Sequence, residues 1–194
     1  MNKKRSFRYI LRYQIDPRFN PENRIDELME FCRNSLTQEL MMVITAEELA
    51  LGHPNISDLD PYIILAIKLK SRLTDIGVEL SLNPWFTIGH VSRGRKLKVS
   101  QNFTLMVGET GSSNSVTACP LCPNWQEHIC TTFAYMAQEV KPIAIWIEDD
   151  WRLHNHDNVL GWGGCLCNLH LDRFAQFTGK RVDRQQVLKY VLAP

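Results

Sequence analysis

Two clusters in this 194-residue chain consist of residue types that do chemistry. The first is Glu148, Asp149 and Asp150, directly behind the apolar run Ile143, Ala144, Ile145, Trp146 and Ile147. A continuous run of this kind reads as a strand covered on both faces. In parallel α/β proteins, ligands bind at the carboxyl ends of the strands, so acids placed there suit proton transfer. Alternation along the strand puts Glu148 and Asp150 on one side and Asp149 on the other, leaving one or two of them to face a pocket. A helix cap or a solvated loop is the competing use of such acids.

The second cluster is built from soft donors. GGCLCNLHLDRF places Cys165, Cys167 and His170 within six residues, and CPLCP supplies Cys119 and Cys122 earlier in the chain. Thiolate sulfur and imidazole nitrogen are the usual tetrahedral ligands of zinc, and a C-x-C-x-x-H run at a helix start can direct three of them to one point. Cys119 is the expected fourth ligand, with Cys122 competing for the place. Four protein ligands make a closed, structural site with no position for a reactive water. Cys32 and Cys130 are expected to fill small apolar gaps.

Other side chains belong near the acids. A strand from Val78 to Leu82 is followed by Asn83, Trp85 and His90, which would line the same rim as Asp150 in a parallel array. Trp146 or Trp151 would raise an acid's pKa by desolvation, and neighbouring acids would push in the same direction. Arg152 can pair with an adjacent carboxylate, and His154 and His156 belong to the loop that follows. A metal-dependent hydrolase using Asp149, Asp150, His154 and His156 as ligands is a further possibility.

The elements that must position these residues follow from periodicity. Phe7 to Gln14 reads as a strand, and a helix opening at Pro21 or Asn23 carries the stripe Ile25, Leu28, Met29 and Cys32. Glu39 to Ile44 is a second buried strand. After a loop containing Gly52, Pro54 and Pro61, the stripe Tyr62, Leu65, Ala66, Leu69, Leu73 and Ile76 makes the longest helix, closed by Gly77. Residues 91 to 118 read as a long loop with at most a short strand at Phe103 to Val107. Trp125, Ile129, Phe133, Met136 and Val140 form a helix that leads into the acid-tipped strand. A helix from about Cys167 to Phe177, burying Leu171, Phe174 and Ala175, comes next, and another starts near Arg184.

Strand then helix, four times over and without a hairpin signal, predicts one α/β domain over residues 1–194 with a parallel sheet of βα repeats. An eight-stranded βα barrel needs about 250 residues, so four units amount to about half of a TIM-type barrel. Such a half calls for a second copy or the remainder of a longer barrel to cover its edges, unless the fold is an open α/β sheet. Composition fits a globular chain, with 44% hydrophobic residues and a net charge of +1, which gives no field for nucleic acid. No membrane-length apolar run and no signal-peptide core is evident, so the expected compartment is the cytoplasm. Six cysteines in a reducing compartment point to metal rather than disulfides.

The order of these motifs resembles the family 42 glycoside hydrolases, β-galactosidases built on the (β/α)8 barrel. That family has C-P-x-x-P before its third helix, matched by Cys119 to Pro123, and its cysteine binds zinc. It then has a strand ending in Asn-Glu, where this chain has Asp149 and Asp150, and a C-x-C-x-x-C zinc run, matched by Cys165, Cys167 and His170. The match covers roughly Cys119 to Phe177, less than a third of the chain.

The resemblance implies a glycosidase acting on a carbohydrate, with Asp150 as general acid/base and a structural zinc on Cys119, Cys165, Cys167 and His170. Two departures stand out: Asp-Asp replaces Asn-Glu, and the family's nucleophile, on a seventh strand, has no counterpart in these 194 residues. A retaining mechanism needs two carboxyl groups about 5 Å apart. A non-catalytic carbohydrate-binding or assembly role is therefore the main alternative.

Overall fold

The computed structural model describes residues 7–89, 96–147 and 164–191, which divide into two compact units. The first comprises 7–49, 54–85 and 132–147, and the second 50–53, 86–89, 96–131 and 164–191. No helix among the described residues is long and apolar enough to cross a membrane.

The first unit is a parallel sheet with helices on one face. Strands β1 (Ile10–Gln14), β2 (Glu39–Ile44) and β3 (Glu79–Pro84) lie side by side in chain order. Helix α1 (Pro21–Asn34) joins the first pair, and the short α2 (Ala46–Ala50) and long α3 (Ile56–Thr74) join the second. Pro21 opens α1, where its missing N–H costs nothing and its fixed φ suits the helix. Helix α3 begins earlier than the apolar stripe alone indicates, because the Asp58 carboxylate accepts the Asn55 N–H at 2.7 Å and fixes the start ahead of Pro61. Gly77, at φ +72°, lets Val78 N–H close back on the Leu73 carbonyl at 3.0 Å and ends the helix region.

The register aligns Leu11, Leu40 and Leu80, then Tyr13, Met42 and Leu82, so one sheet face is a continuous apolar surface. Leu40, Met42, Leu80 and Leu82 are buried, as are Ile25 and Met29 of α1 and Tyr62, Leu69 and Leu73 of α3. Each such side chain contributes roughly 1.5–3 kcal/mol. Helices α1 and α3 are neighbours, since Arg72 reaches Asp26 at 2.6 Å and Lys68 pairs with Glu22. The far half of α4 (Pro123–Val140) lies beside α3, where the Tyr135 hydroxyl donates to Asp60 at 2.6 Å.

The opposite sheet face is polar yet buried. Glu39 accepts from Arg8 Nε at 2.9 Å and from the Trp146 indole at 3.0 Å, and the same indole reaches Ser81 Oγ at 3.1 Å. Arg12 Nε donates to Asn83 Oδ1, and Asn83 Nδ2 to the Trp146 carbonyl, both at 2.9 Å. A buried carboxylate and amide are tolerated because each is satisfied.

Three expectations need correction. The segment Ile143–Ile147 does extend the sheet in parallel beside β3, through an Ile145–Leu82 bridge. It is not covered on both faces, however: Ile143, Trp146 and Ile147 are 46%, 41% and 61% exposed, as befits an edge. Residues 91–118 are expected as loop with at most a short strand at Phe103 to Val107; β4 (Leu105–Val107) falls in that stretch, but its antiparallel partner β5 (Ser113–Ala118) is not expected. The buried side of β5 consists of Asn114, Val116 and Ala118, too small and polar to register as an apolar strand. Finally, the mixed α/β arrangement holds, but the described strands do not close into a barrel.

Replacing Trp146 with Phe keeps the ring and removes the donor to Glu39 and Ser81. The unit should lose about 1–3 kcal/mol in urea unfolding followed by circular dichroism.

Candidate metal centre

Within the second unit, β4 is flanked on both sides. Leu105 pairs with Ala118 and Val107 with Ser113 of β5, across a turn in which Gly111 N–H bonds to the Gly108 carbonyl at 3.0 Å. Gly111 sits at φ +89°, a backbone conformation that glycine adopts freely and other residues rarely do. On the other side, Leu166 N–H donates to the Val107 carbonyl at 2.8 Å, and Val107 N–H reaches Cys165 Sγ at 3.4 Å. Strand β4 thereby brings the end of β5 and the start of α5 (Asn168–Thr178) together.

Cys119 follows β5 immediately, its N–H bonded to the Thr104 carbonyl at 2.7 Å. Cys167 is the N-cap of α5, and His170 N–H closes the first turn on its carbonyl at 3.0 Å. Cap and third helical residue share one side of a first turn, which is why the C-x-x-H spacing converges.

Cys119 Sγ lies 3.3 Å from His170 Nδ1 and 3.5 Å from Cys167 Sγ, and Cys167 Sγ lies 3.5 Å from His170 Nδ1. With Cys165 the four donor atoms all lie within 4.8 Å of one another. A tetrahedral ion with bonds of 2.0–2.3 Å has ligand edges of roughly 3.5–3.8 Å. The four residues therefore form a buried group that can hold a metal ion. The three sulfurs are buried and His170 is partly exposed.

The protons of the cluster are shared. Hydrogen bonds from Cys119 and Cys165 hold the Cys167 thiol far below its ordinary range. Those to Cys165 and Cys167, with burial, push Cys119 far above it. His170 is pushed up to about 9 by its bonds to Cys165 and Cys167. A thiolate beside an imidazolium is the protonated counterpart of a cation site.

Cys122, the competing candidate, is turned elsewhere: its sulfur accepts the Thr104 N–H at 3.1 Å, and its N–H bonds to the Cys119 carbonyl at 2.9 Å. Cys32 is buried as expected, but Cys130 is exposed, because the apolar side of α4 passes through Trp125 and Ile129 instead. Helix α5 has no buried side chain, and Phe174 is 45% exposed, with Leu171 and Ala175 half-buried. Its apolar stripe marked a helix without guaranteeing a partner.

The acids Glu148, Asp149 and Asp150, and His90, Trp151, Arg152, His154 and His156, lie outside the described residues. Asn83, at the end of β3, is buried with its amide bonded to Arg12 and to the Trp146 carbonyl, next to the residues that precede the acids. Trp85 is 39% exposed. Sequence reading missed Arg8, Arg12, Glu39 and Ser81 of the polar sheet face, which no local motif announces. It also missed His53, buried in the second unit with Nε2 2.8 Å from the Val116 carbonyl and its ring edge-on to Phe103.

Compared with family models, curated proteins and solved structures, the chain matches none of them.

Replacing Cys119, Cys165, Cys167 or His170 with Ala should weaken divalent-cation binding by roughly a hundredfold or more, judged by competition with a chromogenic chelator. Cys122→Ala should leave it within a few fold. Because a cation must displace the protons held by His170 and the thiols, affinity of the unaltered chain should rise between pH ~6 and ~8.

Proposed function

We propose that this protein is a glycosidase-like βα protein carrying one structural zinc ion on Cys119, Cys165, Cys167 and His170. The observation that carries the zinc assignment is the convergence of three thiols and one imidazole nitrogen within 4.8 Å. Three soft sulfurs and a nitrogen at tetrahedral spacing favour zinc over the hard cations, which take oxygen. With four protein ligands, no position is left for substrate or water, so the ion's work is mechanical: it would clamp the end of β5 to the first turn of α5.

Chemistry then falls to the acids after the sheet's last strand. In this reading Asp150 is the general acid that protonates a glycosidic oxygen, and then the base that activates water. A barrel-type arrangement is supported by strands adjacent in chain order, β1, β2, β3 and then Ile145, with α1, α3 and the end of α4 side by side. Doubly wound sheets instead reverse their strand order and carry helices on both faces. The second carboxylate that hydrolysis requires would come from a further part of the barrel, in a longer chain or a second copy.

Purified chain should contain one zinc per molecule by atomic emission. Stripping it should lower the melting temperature by roughly 8–16 °C, as expected for an ion present at about a thousand times its Kd. Iron or no metal in its place would remove the zinc assignment. Hydrolysis of aryl β-galactosides by the chain joined to its complementing half, lost in Asp150→Asn, tests the glycosidase assignment separately.

A further inference from the structure

The metal centre holds three sulfurs in the space of a single ion, and two of them already touch. Cys119 Sγ and Cys167 Sγ are 3.5 Å apart, so an approach of about 1.5 Å reaches the length of a disulfide. Cys165 Sγ also lies within 4.8 Å of Cys119 Sγ, which makes Cys165 the rival partner. Cys165 and Cys167 are separated by one residue, and the ring they would close is too small for a relaxed disulfide dihedral. Cys122 is held by the Thr104 amide.

We infer that the site is a thiol switch: a hydroperoxide joins Cys119 to Cys167 and so releases the ion. This rests on the zinc assignment above.

Cys167 stands at the start of α5 beside the partly exposed His170 and is 4% exposed, whereas Cys119 is 0% exposed, so of this pair Cys167 meets the oxidant first. Its thiolate attacks one peroxide oxygen, the O–O bond breaks, and a sulfenic acid forms as hydroxide departs. The Cys119 thiolate then attacks that sulfur, the S–O bond breaks, and a second hydroxide leaves. Two protons from solvent turn the two hydroxides into water. Each sulfur gives up one electron, and the peroxide takes both. The zinc keeps its charge throughout. Cys165 and His170 alone are too few to retain it. The new bond joins the same two segments that the ion would have joined, so the unit stays folded and the change is reversible by thiol reductant.

The test uses the full chain with its metal content measured first. Hydrogen peroxide in modest excess is added with a chromogenic zinc chelator present, and the product is digested without reduction for mass spectrometry. The expected result is one zinc released per chain, a peptide crosslinked through Cys119 and Cys167, and recovery of both thiols and zinc binding after reductant. Cys122→Ser should behave identically. Zinc retained after peroxide, or zinc released with the disulfide at Cys119–Cys165, Cys165–Cys167 or Cys119–Cys122, or with sulfonic acids alone, overturns the switch while leaving the zinc assignment standing. A chain that holds no zinc before peroxide is added overturns both.

Discussion

The meeting of Cys119 with Cys167 and His170 is the constraint on which the second unit depends. The two segments are 48 residues apart in sequence between the cysteines. Closing a loop of that length costs about 3–4 kcal/mol in chain entropy. Helix α5 offsets only part of that by burial, since none of its side chains is fully buried and Leu171 and Ala175 are half-buried. Local bonds such as Leu166 to Val107 and Val107 to Cys165 are each of modest net value. A structural zinc with an apparent binding free energy of about 10–16 kcal/mol would exceed the entropy several times over. The donor cluster therefore makes sense as the main fastening of α5 to the β4–β5 pair.

The first unit solves a different problem. Its helix-covered face is held by ordinary apolar packing, but its other face buries Glu39, Ser81 and Asn83. Each polar group there is matched to a donor or acceptor on another segment: Arg8, Arg12, or Trp146 through its indole or its carbonyl. Trp146 is the common member. Its N–H also bonds to the Leu82 carbonyl at 2.7 Å, so the backbone just ahead of the acids is fixed by sheet bonds and side-chain bonds together. A satisfied buried network of this kind admits few alternative geometries.

Legibility in the sequence followed how local each signal was. The four donors could be read because C-x-C-x-x-H encodes a helix cap and its first turn, a geometry set within six residues. Strand β2 could be read because its apolar run Leu40 to Ile44 is uninterrupted, and β3 because Val78, Leu80 and Leu82 alternate with polar residues. Strand β4 lies within the short strand allowed at Phe103 to Val107, but its partner β5 could not be read, because its inner side is Asn114, Val116 and Ala118 and its turn glycines look the same as those of an irregular loop. Ile143–Ile147 was misread for a physical reason: apolar composition reports a preference for burial, whereas burial depends on whether a neighbouring strand exists. Asn83 shows the same limit. Its position at a strand end suggested a ligand contact, yet its amide is bonded to Arg12 and to the carbonyl of Trp146, pairings between residues more than sixty apart that only the fold creates.

The separation of the two chemistries narrows what the protein can be. A closed Cys3His centre has no free coordination position, so it cannot bind substrate while it holds its ion, and any reaction must be carried by other groups. The polar face of the first unit runs toward the carboxyl ends of β1, β2 and β3, and its bonds stop at Trp146, immediately before Ile147 and the three acids. Under the glycosidase reading this division of labour is coherent: one unit fastens itself with soft ligands, and the other orients a strand end for proton transfer. Under a metal-hydrolase reading the soft ligands would be wasted on a site that does no chemistry, and a second, hard-ligand ion would be needed among the acids. The first arrangement asks for one ion and the second for two, which makes metal stoichiometry the more decisive quantity.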